Sequence, residues 1–560
     1  MRAIRQVNSL AQLVQTDDLG TTHSTPRMKY QADFDNERRW LAWDLLCGRV
    51  TPHHALHGFL LNSGIQRAEL SWFQDNPCPP DMVGINHYVT SDRFLDDDVS
   101  AYPANVAGAN SRQPYADVDA IRVLHRSYDG WTVLQDAWER YQLPVAVTEV
   151  HLGCTREEQL RWVRDAWSAC TEASARGVDV RAMTAWALFG SFDWDSLLTR
   201  SSNYYEPGGF DVRGPAPRPT ALAAQISSLV EQSSSAHPTT HSKGWWQRAE
   251  RLHFNRAAAE IATEPVGMPR LPRPLVICGA GTLGRAFAAI CTQRGIEHRL
   301  IGHAELDICD PVGVEAMLGR VTPWALINAA GYVRVDDAET DRSRCFHANT
   351  TGTHVLADAL ARRNTKFVTF SSDLVFAGRS RRPYVEGDEV GPLNVYGQSK
   401  ASAEAVLDAN PEALCIRTAA FFGYGEPSDY LVQALSALDR KQPFAAMDDV
   451  LVSPTYLPDL VHASLDLLLD DCTGLWHLAN QGAVSWAELA HRAAILTGVN
   501  PRCIVHQPQA AFMLPALRPQ YSALGSIRGN PMPTLDDALE RFAMKIREPA
   551  MPHRRLRKFA

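Results

Sequence analysis

The feature that most constrains the fold is an apolar tetrapeptide followed directly by a glycine-rich turn and a helical pattern. Residues 275–278 read Leu-Val-Ile-Cys, residues 279–284 read Gly-Ala-Gly-Thr-Leu-Gly, and residues 285–294 have helical spacing. In such a unit the glycines permit a tight turn, let the backbone approach a pyrophosphate and let the helix pack on the strand. The pattern predicts a dinucleotide site at a helix N-terminus, with a purely structural glycine turn as the alternative.

A second pattern places a tyrosine and a lysine on one face of a helix. Tyr396 and Lys400 are four residues apart in Tyr-Gly-Gln-Ser-Lys, so both can point into one site. A free tyrosine titrates near pH ~10, and a neighbouring cation favours the phenolate. We therefore expect Lys400 to lower the pKa of Tyr396. Surface helices carry this spacing by chance, so it gains meaning only beside the glycine turn and Ser372.

Composition and charge exclude several classes of protein. The 560 residues predict two or three domains, and 45% apolar with 21% charged content is ordinary for a globular protein. No apolar run could span a bilayer, and the N-terminus leads into no signal peptide. Eleven scattered cysteines indicate reduced thiols without a zinc site, and a net charge of −8 argues against nucleic acid. We expect a cytoplasmic protein without metal, membrane or nucleic-acid partners.

A polar stretch divides the chain. Residues 232–242 are rich in serine, threonine and histidine, and three prolines follow at 269–274. These signals predict a domain at 1–226, a linker at 227–273, a second domain at 274–548 and a basic tail at 549–560.

The first part alternates strands with helices. Short apolar runs at 13–16, 82–86, 145–149 and 182–186 predict a parallel sheet or barrel, with polar residues at the strand ends. In order, these pieces resemble the last four strands of family 1 glycoside hydrolases. The resemblance implies that Thr-Glu at 148–149 is the nucleophile motif, with Glu149 as the nucleophile, and that Phe-Asp-Trp at 192–194 held a sugar.

The resemblance also implies that half of a (β/α)8 barrel is missing. The acid/base carboxylate of that family follows the fourth strand, before the point at which this chain begins, and hydrolysis requires two carboxylates. Glu149 is therefore expected to be vestigial and β-glycosidase activity is disfavoured. Unpaired sheet edges are seldom tolerated, so we expect either a longer natural protein, with reading frame upstream of Met1, or a homo-oligomer or partner that completes the barrel.

The second part continues the dinucleotide pattern. Strands are predicted at 298–302, 325–327 and 367–370, with Asn-Ala-Ala-Gly-Tyr at 328–332 and Ser-Ser-Asp-Leu-Val-Phe at 371–376. Together with Val-Asp-Asp-Ala-Glu at 335–339 and Ser-Pro-Thr-Tyr at 453–456, this order resembles the extended short-chain dehydrogenases, most closely the dTDP-4-dehydrorhamnose reductase family. The resemblance implies a Rossmann-like, doubly wound parallel sheet with a small C-terminal substrate-binding part.

The resemblance assigns roles residue by residue. Ser372 holds the ketone, Tyr396 donates the proton, and Lys400 lowers the pKa of Tyr396 and binds the nicotinamide ribose. The cofactor is NADP or NAD, with NADPH slightly preferred. The residues implied to bind it are Gly279, Gly281, Thr282, Leu283, Gly284, Asp307, Ile308, Ala329, Ala330, Gly331, Asn349, Tyr396 and Lys400.

Two departures from the family's sequence pattern leave the identity of the sugar open. Ala420 and Leu374 stand where the family carries aromatic residues, so the substrate pocket is reshaped. The resemblance implies NAD(P)H-dependent reduction of a nucleotide-linked 4-keto-6-deoxy sugar, in deoxysugar or polysaccharide biosynthesis. A non-catalytic, NADP-binding regulatory subunit remains the alternative.

Overall fold

Two separate parallel sheets organise the chain in the computed structural model. The structure describes residues 1–125, 128–196, 199–231, 237–254, 273–363, 365–423 and 429–547. A first unit comprises residues 1–188 and 224–269, and a second unit comprises residues 189–223 and 270–560. No helix among the described residues is long and apolar enough to cross a membrane.

The first unit is built on four parallel strands that lie in chain order. They are β1 (Val14–Asp18), β2 (Met82–Asn86), β3 (Val145–Val150) and β4 (Val180–Ala185). The four strands predicted here are thus confirmed to within two residues. A smaller mixed sheet contains Thr22–Ser24, Arg93–Asp96, Ala107–Ala109 and Pro114–Asp119. The longer helices are α1 (Lys29–Arg38), α2 (Arg67–Asp75), α3 (Val133–Tyr141) and α4 (Arg156–Ala175).

Residues 237–254 differ from the linker predicted over 227–273, because they pack against other parts of the first unit, α4 among them. The Trp246 ring is fully buried, and its Nε1 donates to Oδ2 of Asp165 at 3.0 Å. The carbonyl of Thr239 accepts from Nε of Arg161 at 2.9 Å. A polar composition predicted mobility here, but short 3-10 turns present their carbonyls to the arginines of α4. Residues 232–236, 255–272 and the predicted tail lie outside the described residues.

The second unit contains a fully parallel sheet, as predicted, and this sheet has six strands. Its strands are β5 (Leu275–Cys278), β6 (His298–Ile301), β7 (Ala325–Asn328), β8 (Lys366–Ser372), β9 (Leu414–Thr418) and β10 (Gly474–His477), in the order β6-β5-β7-β8-β9-β10. The chain leaves β5 on one side and returns to pair β7 on the other. The carboxyl ends of β5 and β7 therefore form a topological switch point, where α/β proteins bind ligands.

Helices cover both faces of this sheet. They are α5 (Thr282–Arg294), α6 (Pro311–Val321), α7 (Gly352–Ala361), α8 (Val395–Ala403), α9 (Tyr430–Asp439), α10 (Leu457–Leu469), α11 (Trp486–Thr497) and α12 (Leu535–Arg547). Apolar residues of α5 and α10 form the core on one face, and those of α6 and α7 form it on the other. A third core joins α9, α11 and α12. It forms the small C-terminal part that the sequence predicted.

Residues 189–223 belong to the second unit, which differs from the predicted boundary at 226. Nη1 of Arg218 donates to Oδ2 of Asp470 at 3.0 Å, and the backbone N–H of Ala221 donates to Oδ1 of the same carboxylate at 2.8 Å. These hydrogen bonds join the segment to the end of α10, although it precedes the polar stretch in the chain.

Candidate active site

A cavity of about 1350 Å³ lies along the carboxyl ends of the second-unit sheet. One part is lined by the glycine turn after β5 and by the residues after β7, and the other by residues of the C-terminal part, such as Met447 and Trp486. Ser372, Tyr396 and Lys400 also line it. The described residues contain no group of three His, Cys, Asp or Glu side chains that could hold a metal.

The glycine turn fits the pyrophosphate of a dinucleotide. Gly279 has a φ of 101°, a conformation that favours glycine, and an added Cβ would lie 2.5 Å from the backbone nitrogen of Ala330. Nothing lies within 4 Å of the position of a Cβ on Gly281, which begins the approach to the N-terminus of α5. Thr282 and Leu283 form the first turn of this helix and line the cavity. The N-terminus of α5 therefore lies at this part of the cavity, where a helix favours a phosphate.

Gly284 follows the lining residues Thr282 and Leu283 in α5. A Cβ on Gly284 would collide with the carbonyl oxygen of Gly279. This glycine therefore allows α5 to pack closely on the turn, and its implied role at the pyrophosphate stays a prediction.

The remaining cofactor wall follows β6 and β7. Asp307 and Ile308 line the cavity, and Oδ1 of Asp307 accepts from the backbone N–H of Cys309 at 2.9 Å. Ala329, Ala330 and Gly331, which follow β7, also line it. The structure thus brings these predicted residues to one wall.

Asn349 is buried behind this wall and does not line the cavity. Its Nδ2 donates to the carbonyl of Tyr332 at 3.1 Å and to Oγ of Ser399 at 2.9 Å. Its Oδ1 accepts from the backbone N–H of Tyr332 at 2.7 Å. The residue lies in a π-helical turn, His347–Thr351, inside a longer helix. Asn349 therefore holds the loop after β7 against Ser399 of α8, and its contact with the cofactor stays a prediction.

Tyr396 and Lys400 lie on α8, which begins with a side-chain cap. Oδ1 of Asn394 accepts from the backbone N–H of Gly397 at 2.7 Å. Nζ of Lys400 donates to the carbonyl of Phe370 at 3.0 Å and lies 5.9 Å from the centre of the Tyr396 ring. Burial lowers the pKa of Lys400 to about 8.

The predicted lowering of the pKa of Tyr396 is wrong in this structure. Burial raises the pKa of Tyr396, the charge of Asp373 raises it further, and a hydrogen bond with Ser372 only partly opposes these effects. The cation that was expected to lower it is directed at a strand carbonyl. Tyr396 is consequently a neutral phenol at physiological pH, which is the form that donates a proton.

Ser372 ends β8 and forms a buried chain of hydrogen bonds. Its Oγ donates to Oδ1 of Asp373 at 3.0 Å and accepts from the backbone N–H of Leu374 at 3.1 Å. Oδ2 of Asp373 accepts from Oγ of Ser522 at 2.6 Å. Burial raises the pKa of Asp373 to about 6. Sequence reasoning missed the role of Asp373, although its place directly after Ser372 was a usable signal.

Leu374 and Ala420 lie on the cavity wall at equivalent places after adjacent strands. Ser372 pairs with Thr418 across β8 and β9, and each of the two wall residues follows two positions later. Both places on the wall therefore carry a non-aromatic side chain.

Glu149 lies in the first unit, at the end of β3. It accepts a hydrogen bond from the hydroxyl of Tyr88, which follows β2. Burial raises the pKa of Asp18, at the end of β1, and the charge of Glu149 adds to this effect. The strand ends therefore bring carboxylates together, while the vestigial role of Glu149 stays a prediction.

Comparison with known proteins identifies relatives for the second unit. The family described as "RmlD substrate binding domain" matches residues 273–531. A dTDP-4-keto-6-deoxy-D-glucose reductase of Streptomyces niveus is 32% identical over 258 residues, which cover 45% of this chain and 88% of the relative. A dTDP-4-dehydrorhamnose reductase of Mycobacterium tuberculosis is 35% identical over 259 residues, covering 45% and 84% respectively.

A solved structure of similar kind is that of dTDP-4-dehydrorhamnose reductase from Bacillus anthracis in complex with NADP. It is 26% identical with a TM-score of 0.46, and the match covers 49% of this chain and 99% of that chain. All of these matches fall on about half of the sequence.

Proposed function

Because the chain belongs, through residues 273–531, to the dTDP-4-dehydrorhamnose reductase family, we propose that its second unit reduces a nucleotide-linked 4-keto-6-deoxy sugar with NADPH. One observation carries the proposal. Ser372, Tyr396 and Lys400 line the same cavity as the glycine turn, so a carbonyl and a nicotinamide can meet between them. The relatives act, by name, on substrates of this class.

The side chains supply the proton and hold the carbonyl. NADPH, when bound, supplies the hydride that the carbonyl carbon accepts. The Ser372 hydroxyl donates a hydrogen bond to the carbonyl oxygen, and Tyr396 gives its proton to the same oxygen as negative charge develops there. The products are the secondary alcohol and NADP⁺. The raised pKa of Tyr396 keeps that proton available at neutral pH.

Lys400 and Asp373 complete the electrostatics of the site. The ammonium group of Lys400, which donates to the carbonyl of Phe370, would hold the nicotinamide ribose of a bound cofactor. As a neighbouring cation it then also favours loss of the Tyr396 proton. Before the substrate binds, Asp373 accepts the hydrogen bond of the Ser372 hydroxyl, which turns from Asp373 to the carbonyl oxygen when that oxygen reaches it.

NADPH is proposed over NADH because of the residues after β6. Residues 302–304 read Gly-His-Ala, and His303 lines the cavity. A carboxylate at this place would bind the ribose 2′-hydroxyl of NADH and repel a 2′-phosphate, whereas an imidazole is compatible with the phosphate.

We propose further that the first unit, within residues 1–226, is half of a glycosidase-like barrel that no longer hydrolyses glycosides. The parallel order β1-β2-β3-β4 and the place of Glu149 at a strand end support this reading. We also propose domains at 1–226 and 274–548, which the two separate parallel sheets support. The observed units differ from these bounds, because residues 189–223 belong to the second unit and residues 237–254 to the first.

Oxidation of NADPH across a panel of nucleotide 4-keto sugars tests the function. We expect turnover of at least one sugar and loss of turnover in Tyr396→Phe. Cofactor binding without turnover of any sugar would favour a non-catalytic, NADP-binding subunit instead. Absence of cofactor binding would refute both.

A further inference from the structure

Three arginines line the cavity among the described residues, Arg334, Arg344 and Arg518. Only Arg518 follows Lys400 in the chain. The other lining residues of that part of the chain are mainly apolar and aromatic, including Met447, Trp486 and Phe512. A charge in such surroundings interacts more strongly with an anion than one at an open surface.

The guanidinium of Arg518 is held in a fixed orientation. Its Nη1 and Nη2 donate to Oδ1 and Oδ2 of Asp336 at 2.5 and 2.6 Å, and Nη1 also donates to the carbonyl of Ala516 at 2.6 Å. Arg518 and Asp336 are 19% and 34% exposed in their side chains. A guanidinium has five N–H donors, so these three bonds leave Nε and one Nη2 hydrogen for a further acceptor.

The segment that carries Arg518 is tied to the catalytic helix. Nδ2 of Asn394, the cap of α8, donates to the carbonyl of Leu517 at 2.8 Å. Oε1 of Glu339, three residues after Asp336, accepts from the backbone N–H of Val395 at 2.8 Å. Both partners of the ion pair are therefore fixed relative to Tyr396.

A nucleotide-sugar substrate brings a second diphosphate to this cavity. The first, that of the cofactor, fits the glycine turn and the N-terminus of α5. The second carries negative charge that an apolar wall cannot compensate, and a guanidinium with two adjacent free donors matches phosphate oxygens in a bidentate way. We propose that Arg518 binds the diphosphate of the nucleotide-sugar substrate and that Asp336 orients it. This inference rests on the proposed function and specifies its substrate site.

Two variants separate the cation from the ion pair. Arg518→Met and Asp336→Asn both remove the charge pairing, but only the first removes the cation. In the full-length protein saturated with NADPH, we expect Arg518→Met to raise the Kd for dTDP by about 10- to 100-fold. Asp336→Asn should keep a Kd close to the parent value or lower it, and Arg518→Lys should be intermediate. The Kd for thymidine, which lacks the diphosphate, should not change in any variant.

The salt dependence and the cofactor affinity provide independent readouts. The dTDP affinity of the parent should fall with ionic strength more steeply than that of Arg518→Met. NADPH affinity should be equal in all variants. An equal rise of the dTDP Kd in Arg518→Met and Asp336→Asn would indicate a structural role and overturn the inference, as would an unchanged Kd in Arg518→Met. Either result leaves the reductase function standing if the parent still turns over, whereas a parent that binds no NADPH refutes that function as well.

Discussion

Replacement of Lys400 by methionine should stabilise the fold while it abolishes function. Lys400 is buried, and its pKa falls from 10.5 to about 8 because the ammonium is desolvated. That fall corresponds to about 3 kcal/mol of unfavourable free energy in the charged form, at ~1.4 kcal/mol per pKa unit. Because the unfolded chain binds the proton more tightly, the cost is fully present below pH 8 and disappears as the pH rises towards 10.5.

The assay is thermal or denaturant unfolding of the parent and Lys400→Met between pH 6 and pH 10.5. The transition of the second unit is the one that NADPH shifts upward in the parent. The stability of the parent relative to the variant should rise by about 3 kcal/mol across the upper part of this range. Loss of the hydrogen bond to the carbonyl of Phe370 lowers the stability of the variant by an amount that does not depend on pH. NADPH affinity and turnover should both fall in the variant.

The exposed Lys441 supplies the matched control, since Lys441→Met should give a stability difference from the parent that is constant with pH. A constant difference for Lys400→Met as well would refute the burial argument. The argument would also be refuted if Lys400→Met were less stable than the parent and this deficit became larger as the pH falls.

Three further substitutions test the assignments above. Tyr396→Phe should lower the reduction rate by roughly 10²–10⁴-fold with little change in the Kd for NADPH, measured by stopped-flow and cofactor fluorescence; an unchanged rate would contradict its role as the acid. Gly284→Ala should destabilise the second unit by about 1–3 kcal/mol in calorimetry, because the new Cβ collides with a backbone carbonyl; Gly319→Ala, where nothing lies within 4 Å, is the control. Glu149→Gln should hydrolyse aryl β-glycosides no more slowly than the parent, and a loss of robust parental activity would disprove the vestigial reading.

The elements of the site were predictable because local patterns specify them. The strand at 275–278, the glycine turn and the helical spacing of Tyr396 and Lys400 are each encoded within a few residues. A polar residue at the end of a parallel strand, such as Ser372, reaches the ligand edge of the sheet wherever the strand lies. These signals sufficed for the Rossmann-like sheet and for three side chains of the cavity wall.

Contacts between distant segments were not predictable. The spacing of Tyr396 and Lys400 correctly placed both on one face of α8. It gave the wrong direction for the pKa of Tyr396, because Lys400 donates to the carbonyl of Phe370 in β8. Asp373 is fixed by Ser522, 149 residues later, and Arg518 meets Asp336 over 182 residues. Trp246 lies within the predicted linker, and local composition does not show which distant helix its ring packs against.

The π-helical turn at His347–Thr351 determines which side chains of α7 face the sheet. The turn lies between Arg342–Phe346 and α7 and places one additional residue in the helix. Removing one residue there would restore regular α-helical spacing and rotate the two flanking segments by about 100° relative to each other. Asn349 could then no longer face Tyr332 while Leu356 and Leu360 remain in the core. A regular α-helix could not direct Asn349 at the site and Leu356 and Leu360 at the sheet at the same time. The wide turn allows both.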